Sequence, residues 1–461
     1  MILAIDQGTT GTTCLVVEGG AVRGRGHRPV EQIYPQPGWV EHDPLQLWAT
    51  VTGAAEQAVA DAGIAAHQLE AIGITNQRET TLLWDRATGR PVANAIVWQD
   101  RRTAEACAAL PAALLRERTG LVPDPYFSAT KLAWLLREHG GPTSGLAFGT
   151  VDTWLIWQLT GGSVHVTEPT NASRTLLCSL HTLDWDPELL DLFGVPDTLL
   201  PEIRPSSGPF AEAELLGARL PVLGVAGDQQ AALFGQGCLE PGQAKVTYGT
   251  GSFLLVNDGP RRDEPPHGLV RTAAAQPGIT ALEGSVFVAG AAVQWLRDGL
   301  GLLADASESE RLAASLDGND GVYFVPALVG LGSPYWDANA RGLITGITRG
   351  TGRAQLVRAA LEAIAYQVRD VVEAVPGGVS ALRADGGAAA NGWLMQFQAD
   401  LLGMPVEVAA EREMTALGAA ALAAGAPPRR RPGRVYEPRM PRDQADALYG
   451  GWLAAVQRAR T

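Results

Sequence analysis

The sequence has almost no lysine: among its 36 basic residues, Lys131 and Lys245 are the two lysines and the others are arginines. A P-loop holds nucleotide phosphates with the frame Gly-x-x-x-x-Gly-Lys-Ser/Thr, whose lysine reaches the β- and γ-phosphates. Neither lysine stands in that frame. If the chain binds ATP, it does so without a P-loop lysine.

Cysteine, long apolar runs and excess positive charge are scarce as well. The four cysteines are far apart and form no C-x-x-C pair, so neither a disulfide framework nor a cysteine-pair motif is expected. No apolar run reaches the roughly 18 residues of a membrane-spanning helix, and the start lacks the features of a secretory signal. A net charge of −13 disfavours nucleic acid and anionic membranes. We expect a soluble, reduced, cytoplasmic protein with no nucleic-acid partner and no membrane insertion.

What the sequence does contain is an alternation of two kinds of segment. With 461 residues, 46% of them hydrophobic, it can build two to three domains with large cores. Apolar β-rich runs such as 71–75, 94–98, 222–226 and 405–409 read as buried strands. The segments "ATKLAWLLREHG" and "GRAQLVRAALEAIAYQVRDVVEAV" read as helices, because apolar residues recur at three- and four-residue spacing. This mixture predicts α/β layers.

The opening stretch, "MILAIDQGTTGTTCLVVEGG", is echoed half a chain later by "AKVTYGTGSFLLVNDG". Each reads as an apolar run, a turn rich in glycine and threonine, and a second apolar run. One such hairpin would favour a purely structural role. Two of them indicate related lobes facing a cleft, because turns with bare backbone N–H groups form anion-binding sites and threonine adds uncharged donors.

A third glycine motif, "LRADGGAAANGWLMQFQADLLG", reads as a strand, then Gly386 and Gly387, then a helix. Glycines at such a junction usually serve packing alone. Beside two phosphate-binding hairpins, bare backbone here can instead accept a flat ring, which would complete a nucleotide site.

Two aspartates follow predicted strands. Asp6 ends the first strand, where it either solvates the strand end or provides an oxygen ligand for Mg²⁺, often through water. Asp228 lies between a buried strand and a helix, so it is either the helix N-cap or the group that accepts the proton of an attacking hydroxyl. Both alternatives stay open at this point.

Charged and aromatic residues offer a second pair of alternatives. Arg78 and Glu79 are adjacent, and a surface ion pair is the ordinary interpretation. They could also provide donors and acceptors for the neighbouring hydroxyls of a polyol. Trp98 and Tyr126 are core aromatics by default, or they could pack against the C–H faces of the same small molecule.

Ten segments in order across nearly the whole chain carry a family resemblance: "DQGTTGTT", "GITNQRETT", "VWQDRRT", "DPYFSATK", "TNASRTLL", "GDQQAALFGQ", "YGTGSFLL", "FVAGAAVQWLRD", "GSPYWDANARG" and "DGGAAANGWLMQFQAD". Together they resemble the FGGY carbohydrate kinase family. The opening hairpin is shared across the wider actin-like ATPases. The combination of "NQRET" with "GDQQ" is narrower and resembles the members that phosphorylate glycerol.

The resemblance implies an α/β fold of two ribonuclease H-like (actin-like ATPase) domains flanking a catalytic cleft, which we bound at 1–233 and 234–461. It implies transfer of the γ-phosphoryl group of MgATP to glycerol, giving sn-glycerol 3-phosphate and ADP, by a homo-oligomer (dimer or tetramer). A kinase for another small polyol or ketose is the nearest alternative. An actin- or chaperone-like ATPase, with no small acceptor, is the alternative from a different class.

The resemblance also assigns roles at matching positions. The predicted glycerol-binding residues are Arg78, Glu79, Tyr126, Asp228 and Gln229, with Trp98 and Phe253 as apolar walls. Asp228 would be the catalytic base and Asp6 the carboxylate on the metal side. The predicted phosphate contacts are Thr9, Thr10, Gly11 and Thr250, and the residues along the rest of the nucleotide are Gly290, Gln294, Gly387 and Asn391.

The chain departs from the family pattern in two places. Thr13 stands where many members carry an arginine near the nucleotide, so that contact is missing. The segment before "GDQQ" is too short for the glycine-rich loop of the enzymes that fructose 1,6-bisphosphate inhibits, so we expect that regulation to be absent.

Overall fold

The computed structural model describes residues 1–429, 431 and 433–460. Within them the strands are, in chain order, β1 (Ile2–Gln7), β2 (Gly11–Glu18), β3 (Ala21–Pro29), β4 (Glu41–His42), β5 (Ala71–Asn76), β6 (Leu82–Asp85), β7 (Ala95–Ile96), β8 (Leu146–Gly149), β9 (Val166–Thr167), β10 (Glu202–Ile203), β11 (Ser207–Leu215), β12 (Ala218–Gly227), β13 (Gln243–Tyr248), β14 (Ser252–Gly259), β15 (Val270–Ala273), β16 (Thr280–Val286), β17 (Tyr323–Val325), β18 (Leu343–Thr345), β19 (Ala381–Asp385), β20 (Val406–Val408) and β21 (Arg434–Tyr436).

The α-helices of the described residues are α1 (Pro44–Asp61), α2 (Ala104–Ala108), α3 (Ala112–Thr119), α4 (Ser128–His139), α5 (Val151–Leu159), α6 (Pro169–Ala172), α7 (Pro187–Phe193), α8 (Asp228–Gly235), α9 (Gly290–Gln294), α10 (Glu308–Ala314), α11 (Arg353–Glu373), α12 (Gly392–Leu402), α13 (Met414–Ala423) and α14 (Arg442–Ala459). None of the described helices is long and apolar enough to cross a membrane.

The two large sheets repeat one topology. The six-stranded sheet has the order β11-β12-β5-β1-β2-β3, and the seven-stranded sheet has the order β15-β16-β14-β13-β19-β20-β21. In both, a central strand (β1 or β13) pairs antiparallel with the next strand and parallel with a strand that arrives after a crossover. The internal echo in the sequence is therefore a duplicated fold, and the predicted α/β class with two ribonuclease H-like domains is confirmed.

Both predicted hairpins are present. The turn between β1 and β2 is closed by Gly8 N–H, which donates to the carbonyl of Gly11 at 3.0 Å. The turn between β13 and β14 is closed by Gly249 N–H, which donates to the carbonyl of Gly251 at 2.9 Å. Each glycine-rich turn thus leads into a second strand and not into a helix, as the sequence predicts.

Each sheet has its own hydrophobic core, but one helix crosses between the halves of the sequence. Helix α13 lies in the chain between β20 and β21 of the second sheet but packs on the first sheet, where Ala416 and Ala420 join a buried cluster with Ala4 and Leu15. This contact is close, because a Cβ added to Gly73 in β5 would lie 2.4 Å from the carbonyl oxygen of Ala419.

Most predicted elements occur where the sequence places them, but two predicted strands are shorter. The run 405–409 is a strand only over β20. The run 94–98 is a strand only over β7, because Val97 N–H donates to Val40 O and the chain then turns, with Asp100 N–H donating to Val97 O. Trp98 therefore lies outside the strand. Before "GDQQ", β11 and β12 are joined by residues 216 and 217 alone, which leaves no room for an extra glycine-rich loop at that connection.

Candidate active site

Arg78 follows β5 and joins the two halves of the chain. Its Nη1 donates to Oε2 of Glu283 at 2.6 Å, and its Nη2 donates to Oε1 at 3.1 Å. Nη2 also donates to the hydroxyl of Tyr126 at 3.1 Å. Glu283 lies in β16 of the second sheet and is fully buried, while Arg78 is 2% exposed. A surface ion pair is therefore the wrong interpretation of Arg78.

Glu79 is buried beside it and has a left-handed backbone, with φ of 60°. Such a conformation is uncommon and costly for a residue with a side chain, and it concentrates at functional sites. Its Oε1 accepts from Nε of Arg174 at 2.6 Å, and Arg174 Nη2 donates to Oε1 of Glu283 at 2.9 Å. Arg78, Arg174, Glu79 and Glu283 thus form one buried charge cluster.

The electrostatics of this cluster favour a charged Glu283. Burial alone would raise the pKa of Glu283, but the positive charges of Arg174 and Arg78 outweigh it and lower the pKa to about 2. Burial raises the pKa of Glu79, which Arg78 and Arg174 oppose. Glu283 is therefore the carboxylate that holds the two guanidinium groups in place.

Three aromatic rings from distant parts of the chain meet at the cluster. The ring of Trp98 lies edge-on to Tyr126, with centroids 5.6 Å apart, and edge-on to Phe253, with centroids 5.8 Å apart. Trp98 Nε1 donates to Oγ1 of Thr9 at 2.9 Å, which fixes the indole to the first hairpin. These rings form an apolar wall beside the buried charges.

Asp228 is the first residue of α8, directly after β12, as the sequence predicts. The N-cap position belongs to Gly227. The Asp228 Oδ1 accepts from Gln229 N–H at 2.7 Å and lies 3.4 Å from Nε of Arg78. Its side chain is 27% exposed, whereas Arg78 and Glu283 are almost completely enclosed. It is therefore the carboxylate of this group that faces open space.

Asp6 lies in β1 between Thr13 of β2 and Thr75 of β5. Burial raises its pKa well above the ordinary range, and the negative charges of Asp228 and Glu413 raise it further. In the described part of the chain its carboxylate has no hydrogen-bond or ion-pair partner. An unpaired carboxylate near a second one fits a cation such as Mg²⁺, which takes one or two protein carboxylates and completes its shell with water and phosphate.

A protein-built metal cage is not present among the described residues, where no group of three or more His, Cys, Asp or Glu side chains is arranged to hold an ion. A cation near Asp6 would depend on ligands brought by the substrate. The donor set fits Mg²⁺ carried with a nucleotide.

A cavity of about 480 Å³ opens beside the second hairpin. Five predicted nucleotide residues line it: Thr250, Gly290, Gln294, Gly387 and Asn391. Gly290 N–H donates to Gly249 O at 3.0 Å, and a Cβ on Gly290 would lie 2.6 Å from that oxygen, so only glycine permits the contact. At Gly387, by contrast, an added Cβ would meet nothing within 4 Å, so the backbone is bare toward the cavity.

The other predicted phosphate contacts, Thr9, Thr10 and Gly11, do not line this cavity. They lie at the first hairpin, whose tip residue Thr10 is exposed. Thr13, which replaces the arginine of many family members, bonds through Oγ1 to Nδ1 of His27 at 3.0 Å. The position is thus occupied by a threonine hydroxyl bonded to a histidine ring and not by an arginine.

Sequence reasoning missed Arg174, Glu283 and Lys245. Arg174 lies inside one of the family motifs, and Glu283 interrupts the apolar run "ITALEGSVFV". A charged residue within an apolar strand needs a buried partner, and this signal could have singled out Glu283. Lys245 carried a similar signal, because it is one of only two lysines and lies in the strand before the second hairpin.

The chain is similar to known proteins over nearly all of its length. Residues 1–235 match the N-terminal domain of the FGGY family of carbohydrate kinases, and residues 244–426 match its C-terminal domain. Glycerol kinase 2 of Thermotoga maritima is 51% identical, over 99% of this chain and 98% of its own length. The glycerol kinase of Shewanella frigidimarina is 54% identical, over 92% of this chain and 88% of its own length.

A solved structure gives the same result. The crystal structure of Plasmodium falciparum glycerol kinase with ADP superposes with a TM-score of 0.90 at 34% identity, over 100% of this chain and 98% of that one.

The buried charge cluster should depend on Glu283 for its stability. Glu283→Gln should lower the free energy of unfolding by about 3 kcal/mol, because it leaves two buried guanidinium groups without their carboxylate. Chemical denaturation monitored by circular dichroism measures the change. The control Glu18→Gln removes an exposed partner of Arg23 and should cost less than about 1 kcal/mol.

The same prediction has a pH dependence. The pKa of Glu283 is lowered from 4.5 to about 2 in the folded protein, so its contribution is complete above pH 4.5 and is lost as pH falls toward 2. The difference between wild type and Glu283→Gln should shrink over that window. A difference that stays constant would show that the charge of Glu283 is not its source.

Proposed function

Because the chain belongs to the FGGY family of carbohydrate kinases, we propose that its cleft transfers the γ-phosphoryl group of ATP directly to a terminal hydroxyl of glycerol, with Asp228 as the base. The chain phosphorylates glycerol with ATP and releases ADP. What supports this mechanism most is one observation: the seven predicted acceptor residues, spread from position 78 to position 253, form one connected set of contacts that includes the partly exposed carboxylate of Asp228.

Glycerol would be held between the charge cluster and the aromatic wall. In the described chain, the side-chain hydrogen bonds of Glu79 use Oε1, which leaves Oε2 to accept from a glycerol hydroxyl. Arg78 and Gln229 would provide donors, and Trp98 and Phe253 would cover the C–H faces. The Glu283 carboxylate takes no part in binding but keeps Arg78 in position.

Asp228 would take the proton of the attacking hydroxyl. Its neighbour Arg78, at 3.4 Å from Oδ1, would keep the carboxylate oriented toward the acceptor. Most of the acceleration would come from positioning two reactants and from donors aimed at developing charge.

The phosphates would be held by backbone N–H groups and hydroxyls of the two hairpins, through Thr9, Thr10, Gly11 and Thr250. This arrangement requires no P-loop lysine. Mg²⁺ bound at the Asp6 side would neutralise charge on the phosphates. The remainder of the nucleotide would lie in the cavity along Gly290, Gln294, Gly387 and Asn391.

Three further features complete the proposal. The domains are divided at 1–233 and 234–461, near the end of α8. The enzyme acts in the cytoplasm as a homo-oligomer, dimer or tetramer. The short β11–β12 connection supports the absence of inhibition by fructose 1,6-bisphosphate.

An acceptor panel tests the activity. With purified protein, Mg²⁺ and ATP, ADP release should be slow without acceptor, fast with glycerol, and slower with erythritol, xylulose and other longer acceptors. A higher kcat/KM for xylulose or another ketose would favour the alternative FGGY activity. ADP release that is independent of every acceptor would favour an assembly or chaperone ATPase.

Replacement of Asp228 by asparagine tests the base. Asp228→Asn should lower kcat by about 10²- to 10⁴-fold, the usual contribution of a general base, while ATP binding by calorimetry stays near normal. Asp191→Asn, an exposed change on α7, should leave both unchanged. Full activity of Asp228→Asn would reduce Asp228 to a residue of the helix start.

Gly387→Val tests the nucleotide cavity. The new side chain has free space around it and would project where the nucleotide lies, so the KM for ATP should rise by about tenfold, equal to 1.4 kcal/mol, with no change in the KM for glycerol. Gly450→Val on α14 is the matched control, because a Cβ there also meets nothing within 4 Å. Unchanged ATP kinetics in Gly387→Val would place the nucleotide elsewhere.

A further inference from the structure

Lys245 is a buried residue that contacts Gln229, one of the proposed acceptor residues. It lies in β13, is fully buried, and donates through Nζ to Oε1 of Gln229 and, at 2.9 Å, to Oγ1 of Thr247. Gln229 follows Asp228 and is 8% exposed. The lysine therefore touches a residue of the acceptor site without facing the cleft itself.

The chemistry of this contact decides how Gln229 is oriented. A lysine amine donates hydrogen bonds, so the oxygen of the Gln229 amide and not its NH₂ group must face Nζ. The NH₂ group then points the other way. In the described chain Nε2 of Gln229 makes no hydrogen bond, so this donor is free for a ligand.

Burial of Lys245 carries a desolvation cost that no salt bridge among the described residues balances. No carboxylate in the described chain lies within ion-pair distance of its Nζ. Burial lowers the pKa of Lys245 to about 8. The hydrogen bonds to Gln229 and Thr247 and the charge of Asp385 oppose this cost only in part, and an apolar residue of similar size at a buried charged position is often as stable or more so.

We propose that Lys245 is a positioning residue for the acceptor: it fixes the Gln229 amide so that only its N–H donors face the cleft and bind a hydroxyl oxygen of glycerol. The inference rests on the proposed function. It adds the direction of one hydrogen bond: the Gln229 NH₂ group donates and the substrate oxygen accepts. A fixed donor at this position favours a substrate with an oxygen there.

The position of Lys245 also links the acceptor to the nucleotide side. Thr247, its second hydrogen-bond partner, pairs with Asp385 in the neighbouring strand β19. Thr247 leads into the second hairpin, and Asp385 leads into Gly386 and Gly387. One buried amine thus connects the acceptor donor with the strands that end at both nucleotide-binding turns.

Lys245→Met is the first test. Methionine has a similar length but no donor, so the Gln229 amide becomes free to rotate. The KM for glycerol should rise about tenfold, the KM for ATP should change less than twofold, and the melting temperature should not fall. If Lys245 served packing alone, Lys245→Met would lower the melting temperature and leave the KM for glycerol unchanged. That result would overturn the proposal.

A double-mutant cycle separates orientation from a general disturbance. In a Gln229→Ala background the lysine has nothing to orient, so Lys245→Met should add no further rise in the KM for glycerol. Lys131→Met is the matched control: Lys131 is also buried and donates to the carbonyls of residues 125–127. The effect of Lys131→Met on the KM for glycerol should be the same in the wild-type and Gln229→Ala backgrounds. Equal effects of Lys245→Met in both backgrounds would contradict the proposal.

Gln229→Glu gives an independent answer that does not depend on how well Lys245→Met folds. The new carboxylate would pair with Lys245 and stabilise the fold, but it offers no donor to the cleft. The KM for glycerol should rise about tenfold or more, and an unchanged KM would overturn the proposal. If wild-type protein fails to phosphorylate glycerol at all, the proposed function fails and not the inference on Lys245.

Discussion

The paired hydrogen bonds between Arg78 and Glu283 are the constraint on which the site depends. They join the end of β5 in the first sheet to β16 in the second, with both groups out of water. A two-pronged contact between a planar guanidinium and a carboxylate fixes direction as well as distance. Tyr126, Arg174 and Glu79 are all bonded to this pair or to each other, so the proposed acceptor pocket is built on an ionic frame that spans both sheets.

The duplicated fold offers the proposed phosphate site a way to work with so few lysines. Each sheet contributes a hairpin whose turn is closed by a glycine N–H, and the exposed tips carry Thr10 and Thr250. Neutral donors placed by backbone geometry need no reorganisation when charge moves between phosphoryl oxygens. The buried positive charge is instead concentrated in Arg78 and Arg174, on the side proposed to hold the acceptor, where it pairs with Glu79 and Glu283.

Local patterns were the part of this molecule that the sequence could predict. The hairpins, the strand before Asp228 and the long helix α11 follow from apolar periodicity and glycine placement over a few residues. The bond between Arg78 and Glu283 joins residues 205 positions apart, and no local pattern pairs them. The conformation of Glu79 was equally hidden, because a left-handed backbone at a glutamate is imposed by its tertiary partners and not by its own propensity.

The placement of both lysines in the interior has a consequence for how this protein meets its surroundings. Lysine amines are the targets of acetylation and ubiquitination, whereas arginine keeps its charge and is not modified by those reactions. With Lys131 and Lys245 fully buried, the folded molecule offers no lysine to such enzymes or to amine-reactive labels. Lysine labelling of this chain would therefore report the opening of its core, and any chemical mark on a lysine would be the signature of an unfolded molecule.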